Sequence, residues 1–191
     1  TMRVALDAKP QVLFLHQFNE FAGQAEGAGH GENKDNYYDT YSAELTDDYE
    51  PTALDTPGYR SPQGGWGYFY LNLQAAVIDL YKQATPETTV LVLESPRRLT
   101  EVDASLPLKW QWIGLEPETF TLFIDGKEVA SGLRTDTYQL DTSGLAEGRH
   151  TVKLVAPGTA SHYLLSWTEA SPRLETPVPA EVEVEFVVKR G

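Results

Sequence analysis

Cysteine is absent from all 191 residues. That excludes disulfides, thiol nucleophiles, cysteine-ligated zinc and iron–sulfur clusters together. The redox compartment stays open, because a chain without thiols suits either side of a membrane. Basic residues are scarce: 15 Lys and Arg stand against 28 Asp and Glu, a formal charge of −13. Phosphate-backbone affinity depends on Lys and Arg displacing counterions, so this balance argues against a nucleic-acid binder and for a neutral or cationic partner. No run of about 18 apolar residues occurs, and no helical membrane span is expected. The first residues, Thr1 to Pro10, have neither the basic start nor the apolar stretch of a signal peptide. Arg3 to Lys9 reads instead as the last turns of a helix stopped by Pro10, and the chain is expected to begin part-way through something larger.

What is present is ordinary for a folded protein: hydrophobic residues make up 41% and charged residues 23%. The length suffices for one good core or two modest ones. No internal repeat or low-complexity tract interrupts it.

Two regions differ in rhythm. In the first, the adjacent apolar residues Val12, Leu13, Phe14 and Leu15 predict a strand covered on both faces, as in parallel sheets and barrels. From Gly23 to Gly65 the sequence is rich in Gly, Asp, Asn, Tyr and Pro, a loop far beyond the usual ~4–6 residues. Tyr70, Leu73, Val77, Leu80 and Tyr81 then fall at helical spacing and predict a helix from Trp66 to Gln83. Thr88 to Glu94 is a short β-rich run that could close the first region or open the second.

The second region alternates. Leu106, Leu108, Trp110 and Trp112 face one way, and Phe120, Leu122 and Ile124 repeat the pattern before Asp125-Gly126, a tight-hairpin signal. Tyr138 and Leu140, then Val152, Leu154 and Ala156, then Val182, Val184, Phe186 and Val188 mark further strands. Short strands at this spacing predict an antiparallel β-sandwich. The stretch from Tyr138 through Gly148 to Val152 resembles the penultimate-strand region of bacterial immunoglobulin-like and fibronectin III-like modules. The expected division is therefore residues 1–98 and 99–191.

Chemistry concentrates before residue 70. Phe14-Leu15-His16-Gln17-Phe18-Asn19-Glu20-Phe21 places an Asn–Glu pair just past the predicted strand, and barrel enzymes carry their catalytic side chains at such strand ends. Glycoside hydrolysis needs carboxylates there, one to move a proton and one to stabilise or attack the anomeric centre. On the dipeptide alone the plainer reading is favoured: Glu20 caps a turn and Asn19 serves backbone hydrogen bonds. His16 shares the strand face with Glu20, and either neighbours the site or is a buried, hydrogen-bonded histidine.

In order, Asn19-Glu20-Phe21, Asp48-Tyr49-Glu50-Pro51-Thr52 and Gly65-Trp66-Gly67-Tyr68-Phe69-Tyr70-Leu71 resemble the end of a family 99 glycoside hydrolase-like barrel, the endo-α-mannosidase-like group. The resemblance covers residues 10–85. It implies the terminal βα portion of a (β/α)8 barrel acting on α-linked glycans, in a secreted or periplasmic bacterial protein. It also implies Glu20 as acid/base or stabilising carboxylate, Glu50 as its candidate partner and Asn19 as a sugar or Glu20 contact. In that family a second carboxylate lies three residues after the glutamate; here Gly23 stands there, which breaks the pairing unless Glu26 or Glu50 substitutes. A strand or two cannot enclose a substrate, so the expected partners are a glycan and either the missing N-terminal part of the same protein or another copy of the chain.

Trp66 and Tyr68, at the loop-to-helix junction, serve either a sugar face or packing. Tyr70, Trp110 and Trp112 are expected in cores. From Glu20 to Asp55, the acids Glu20, Glu26, Glu32, Asp35, Asp39, Glu44, Asp47, Asp48, Glu50 and Asp55 stand against one base, Lys34. The loop lacks the Asp-x-Asp-x-Asp-Gly spacing, so a solvated loop is favoured over a calcium site, and no other metal or cofactor is expected. Gly27-Ala28-Gly29-His30-Gly31-Glu32 misses the dinucleotide fingerprint at its third glycine. The fold expectation is α+β: a terminal barrel portion, then an immunoglobulin-like sandwich. Its rival is a non-catalytic carbohydrate-binding or structural sandwich on a degenerate barrel.

Overall fold

Apolar residues that alternate along the second region become two sheets with their apolar faces turned inward. The structure is a computed structural model and describes residues 2–14, Leu54 and 67–191. Its elements are α1 (Met2–Ala8), α2 (Phe69–Lys82), β1 (Thr89–Ser95), β2 (Thr100–Val102), β3 (Ser105–Gly114), β4 (Phe120–Ile124), β5 (Lys127–Leu133), β6 (Thr137–Asp141), β7 (Gly148–Ser161) and β8 (Val178–Val188). They fall into two compact units, one of Thr1–Ala8, Asp79–Leu164 and Arg173–Gly191, the other of Lys9–Ile78 and Leu165–Pro172.

The first unit is a β-sandwich. One sheet runs β1-β3-β6 and the other β2-β8-β7-β4-β5, all neighbours antiparallel except the β2–β8 pair. From β3 onward the chain passes between the sheets after β3, β5 and β6, and this order and these crossings are those of an immunoglobulin- or fibronectin III-like fold. Strand β1 pairs with β3 from Thr89↔Gly114 to Ser95↔Lys109. The β-rich run left open by the sequence therefore belongs to the sandwich, which draws its first strand from before residue 99.

The predicted inward residues are inside. Leu106, Leu108 and Trp110 of β3, Phe120, Leu122 and Ile124 of β4, Val152, Leu154 and Ala156 of β7, and Val182, Val184, Phe186 and Val188 of β8 are all buried. Each large aliphatic side chain so buried contributes about 1.5–3 kcal/mol. Trp110 and Phe120 meet edge to face across the sheets, centroids 5.5 Å apart. The alternation of β3 breaks at its end: Trp112 is only half-buried while Ile113 is buried. The Arg3 guanidinium of α1 lies over the Trp112 ring at 4.6 Å. Asp125 and Gly126 both have positive φ, 49° and 76°, with Ile124 opposite Lys127, which is the two-residue hairpin their sequence predicts.

Past the end of β8, Arg190 closes the sandwich at one end. Its guanidinium donates to the carbonyls of Thr142, Ser143 and Leu145 and to the carbonyl and carboxylate of Asp103, and its amide donates to Glu147. These bonds satisfy carbonyls in the β6–β7 connection that no strand partner reaches.

Two expectations for the first region need correction. Gln11–Phe14 form no strand, and Val12 and Phe14 are 79% and 77% exposed, so the part of the apolar run that is described is not a strand covered on both faces. Every strand among the described residues belongs to the two sandwich sheets, and no barrel portion is present among them. The helices agree better. Helix α1 ends where Lys9 takes φ 42° before Pro10, and α2 is the helix expected at Trp66–Gln83, trimmed at both ends. Its buried stripe is Phe69, Asn72, Leu73, Ala76, Val77 and Leu80, whereas Tyr70 and Tyr81 are half-buried.

Leu154→Ala, at a fully buried site, is expected to cost about 2–5 kcal/mol in urea-induced unfolding. Val129→Ala, on an edge strand and 42% exposed, should stay within about 0.5 kcal/mol of the parent.

Candidate functional site

The second unit's described residues build a short aromatic turn against a returning loop. The connection between β7 and β8 contributes Leu165–Pro172 to this unit. There the Trp167 carbonyl accepts the Tyr68 amide at 3.0 Å. Gly67 has φ 53°, and a Cβ placed on it would lie 1.9 Å from the Trp167 oxygen and 2.8 Å from Leu54 Cδ2. Both the backbone region and the space demand glycine. Once past this turn the chain enters α2, whose first-turn bond runs from the Asn72 amide to the Tyr68 carbonyl at 3.0 Å.

The Phe69 ring stacks on Trp167, centroids 4.6 Å apart and planes 20° apart, with Tyr70 edge-on to Phe69 at 5.4 Å. Burial pushes the Tyr70 phenol above its usual range, although the residue is half-buried rather than in the core where it is expected. Tyr68 itself is half-buried.

Asn72 holds this arrangement. Its side chain, 2% exposed, donates to the carbonyls of Ser166 and Glu169 at 2.9 and 3.0 Å and reaches Ser171 Oγ at 3.4 Å. Its oxygen accepts the Ser171 amide at 2.8 Å. Within the loop, Ser166 Oγ accepts the amides of Thr168 and Glu169. An unpaired buried amide is costly, so an asparagine on the apolar stripe of a helix is tolerated because all its polar atoms are used. Asn72 and Trp167 were both missed by sequence reasoning. The polar residue at a stripe position was the available signal for the first; Trp167, alone in a polar stretch, offered none.

Of the residues proposed for the site from sequence, His16, Asn19, Glu20, Glu50 and Trp66 lie outside the described residues, as does the acidic loop where calcium was weighed. Tyr68 is described, and it sits on the turn just built. Trp110 is 1% exposed and Trp112 half-buried beneath Arg3, so neither offers an open sugar platform. Among the described residues no group of His, Asp and Glu could hold a metal ion, and no helix is long and apolar enough to cross a membrane. One further polar constellation is His150 with Asp125, 2.7 Å apart in the sandwich. His162 donates from Nδ1 to the Leu174 carbonyl at 2.7 Å.

No family model matches the chain, and no curated protein matches it. Among solved structures it is similar to the fibronectin(III)-like modules of Clostridium thermocellum CbhA, at 12% identity over 53% of this chain and 99% of that one, TM-score 0.34. It is similar to the endo-beta-1,4-mannanase from Thermotoga petrophila at 10% identity over 71% of this chain and 28% of that one, TM-score 0.40. The N-terminal four Ig domains of Dscam1 isoform 4.44 align at 12% identity over 55% and 21%, TM-score 0.33. At these scores the likenesses carry no argument about chemistry, and the sandwich assignment rests on strand order and register.

Asn72→Ala leaves the Ser171 amide and two loop carbonyls without their partner, and a loss of about 1–3 kcal/mol is expected. The Trp167 indole resonance in a ¹H–¹⁵N spectrum should shift or broaden while amide peaks of β7 and β8 stay in place; an unmoved indole peak would mean the loop does not depend on Asn72.

Proposed function

We propose that this chain is part of a carbohydrate-active, glycoside hydrolase-like protein acting on α-linked glycans, with the sugar-facing residues on the segment before α2 and the sandwich as a supporting module. The observation that carries this reading is the ordered motif series ending at Gly65-Trp66-Gly67-Tyr68-Phe69-Tyr70-Leu71. The described part of that last motif, from Gly67, forms a turn that Gly67 permits, Trp167 backs and Asn72 ties down. A turn so constrained presents Tyr68 without further ordering cost, and a rigid aromatic ring suits the C–H face of a pyranose.

In this reading Glu20 is the acid/base or stabilising carboxylate, Glu50 its partner, Asn19 and His16 orient Glu20 or hold a hydroxyl, and Trp66 joins Tyr68 on the sugar. The enzyme is secreted or periplasmic. A second reading is favoured by one residue: Gly23 stands where the resembled family has its second carboxylate, which suits a non-catalytic carbohydrate-binding or structural module on a degenerate barrel.

Turnover of α-linked glycans by the intact protein separates the two. Glu20→Gln should lower it about 10²-fold or more, the usual share of a general acid/base, and undiminished turnover would remove Glu20 from the chemistry. If the parent protein binds glycans without turnover, the second reading stands, and Tyr68→Ala should then weaken binding in calorimetric titration by about tenfold, near the worth of one aromatic contact.

A further inference from the structure

His150, at the start of β7, is held in a way that suits one protonation state. Its Nδ1 lies 2.7 Å from Asp125 Oδ2, and its Nε2 lies 2.8 Å from the Ala146 carbonyl oxygen. Both partners accept hydrogen bonds and neither donates. A neutral imidazole carries one N–H and can satisfy only one of them, whereas the imidazolium satisfies both. The side chain is 11% exposed and its ring is tilted against Phe186 of β8 at 5.7 Å, while Ala146 is exposed and the Asp125 carboxylate partly so, so that solvent reaches both acceptors and can take up a released proton.

The partners join separate pieces of the sandwich. Asp125 sits in the β4–β5 turn, and its second carboxylate oxygen accepts the Thr151 amide at 2.9 Å. Ala146 lies in the β6–β7 connection, beside the carbonyls that Arg190 holds. Charged groups press on the pair from each side. Arg190 opposes the imidazolium, Asp125 favours it, and Lys127 of β5 favours the Asp125 carboxylate. Glu147, next to Ala146, is occupied with the Arg190 amide.

We propose that His150 is a pH-sensitive latch, closed as the imidazolium and released when one ring proton passes to solvent, that fastens the β4–β5 turn to the β6–β7 connection. On release the remaining N–H stays with the carboxylate, the stronger acceptor, and the Ala146 carbonyl is the group left without its donor.

The sign follows from the contacts. The Asp125 hydrogen bond, working against burial, raises the His150 pKa above its ordinary 6.5. This contribution to stability is complete below that value and is lost as pH rises through the higher folded one. For Asp125, burial alone would raise the pKa, and the bonds from His150 and Thr151 bring it below the ordinary 3.8. Its contribution is present above 3.8 and is lost as pH falls through the lower folded value. The latch is therefore fully closed between those two ordinary values and opens on the alkaline side.

A ¹H–¹³C and ¹H–¹⁵N titration of the full chain, from about pH 4.5 to 9 so as to span the ordinary carboxylate and imidazole ranges, tests this without a variant. The His150 ring is expected to titrate above 6.5, with the Ala146 carbonyl carbon and the Thr151 amide moving at the same midpoint. Asp125→Asn should lower that midpoint, since the hydrogen bond and charge that raise it are removed. A midpoint at or below the ordinary 6.5 in the parent chain, or an Ala146 carbonyl that stays flat through the ring's titration, would overturn the proposal.

Discussion

With no thiol to cross-link it, the sandwich depends on the meeting of two apolar faces, and that meeting turns on Trp110 against Phe120. Around this contact the β3 residues Leu106 and Leu108 and the alternating ladders of β7 and β8 exclude water. Strand side chains alternate with period two, so a slip of one residue in any of these strands would send its whole apolar set to solvent. The same alternation puts Glu181, Glu183 and Glu185 on the outer face of β8, where Lys153 approaches Glu181 at 3.7 Å and Arg149 approaches Glu185 at 4.0 Å. Such exposed pairs add little stability. Their service is to keep that face of the sheet wet and unambiguous.

The second unit is held on another principle. Its returning loop is secured by a saturated set of polar bonds on Asn72 and by one stacked ring pair. Apolar faces tolerate small shifts, but a buried amide whose oxygen and nitrogen are both committed does not, since each broken bond leaves a dry polar atom. Directional bonding of this kind suits a region proposed to present side chains to a ligand, where position matters more than total stability.

How far the sequence could be read follows the same division. Strands β3, β4, β7 and β8 were legible because strict alternation over several residues arises from little except a sheet with one dry face, and the Asp125-Gly126 hairpin because its residues have a mechanism for positive φ. Strand β5 was not, since Lys127-Glu128-Val129 lies on an edge and faces solvent, leaving no burial pattern to read. The three-residue β2 is too short to carry one. The run Val12 to Phe14 misled for a related reason: adjacent apolar residues indicate burial only if something covers them, and coverage is a tertiary fact. At the candidate site motif order singles out Tyr68, and the structure places it on the turn before α2. Its supports came from nearly a hundred residues away in sequence, as the Asn72–Ser171 bond shows, and no local pattern points across that distance.

The β2–β8 pair has a mechanical consequence. Thr100, Glu101 and Val102 run parallel to Phe186, Val187 and Val188, and the pairing is extended by the Leu99 amide to the Glu185 carbonyl and the Lys189 amide to the Val102 carbonyl. Tension entering through β2 and leaving through β8 pulls two parallel strands past each other along their length, so these bonds share the load and must yield together. An antiparallel pair tugged at its open end would part like a zipper, one rung at a time. Within this pair, resistance to stretching rests on all these bonds at once rather than on the three-residue length of β2.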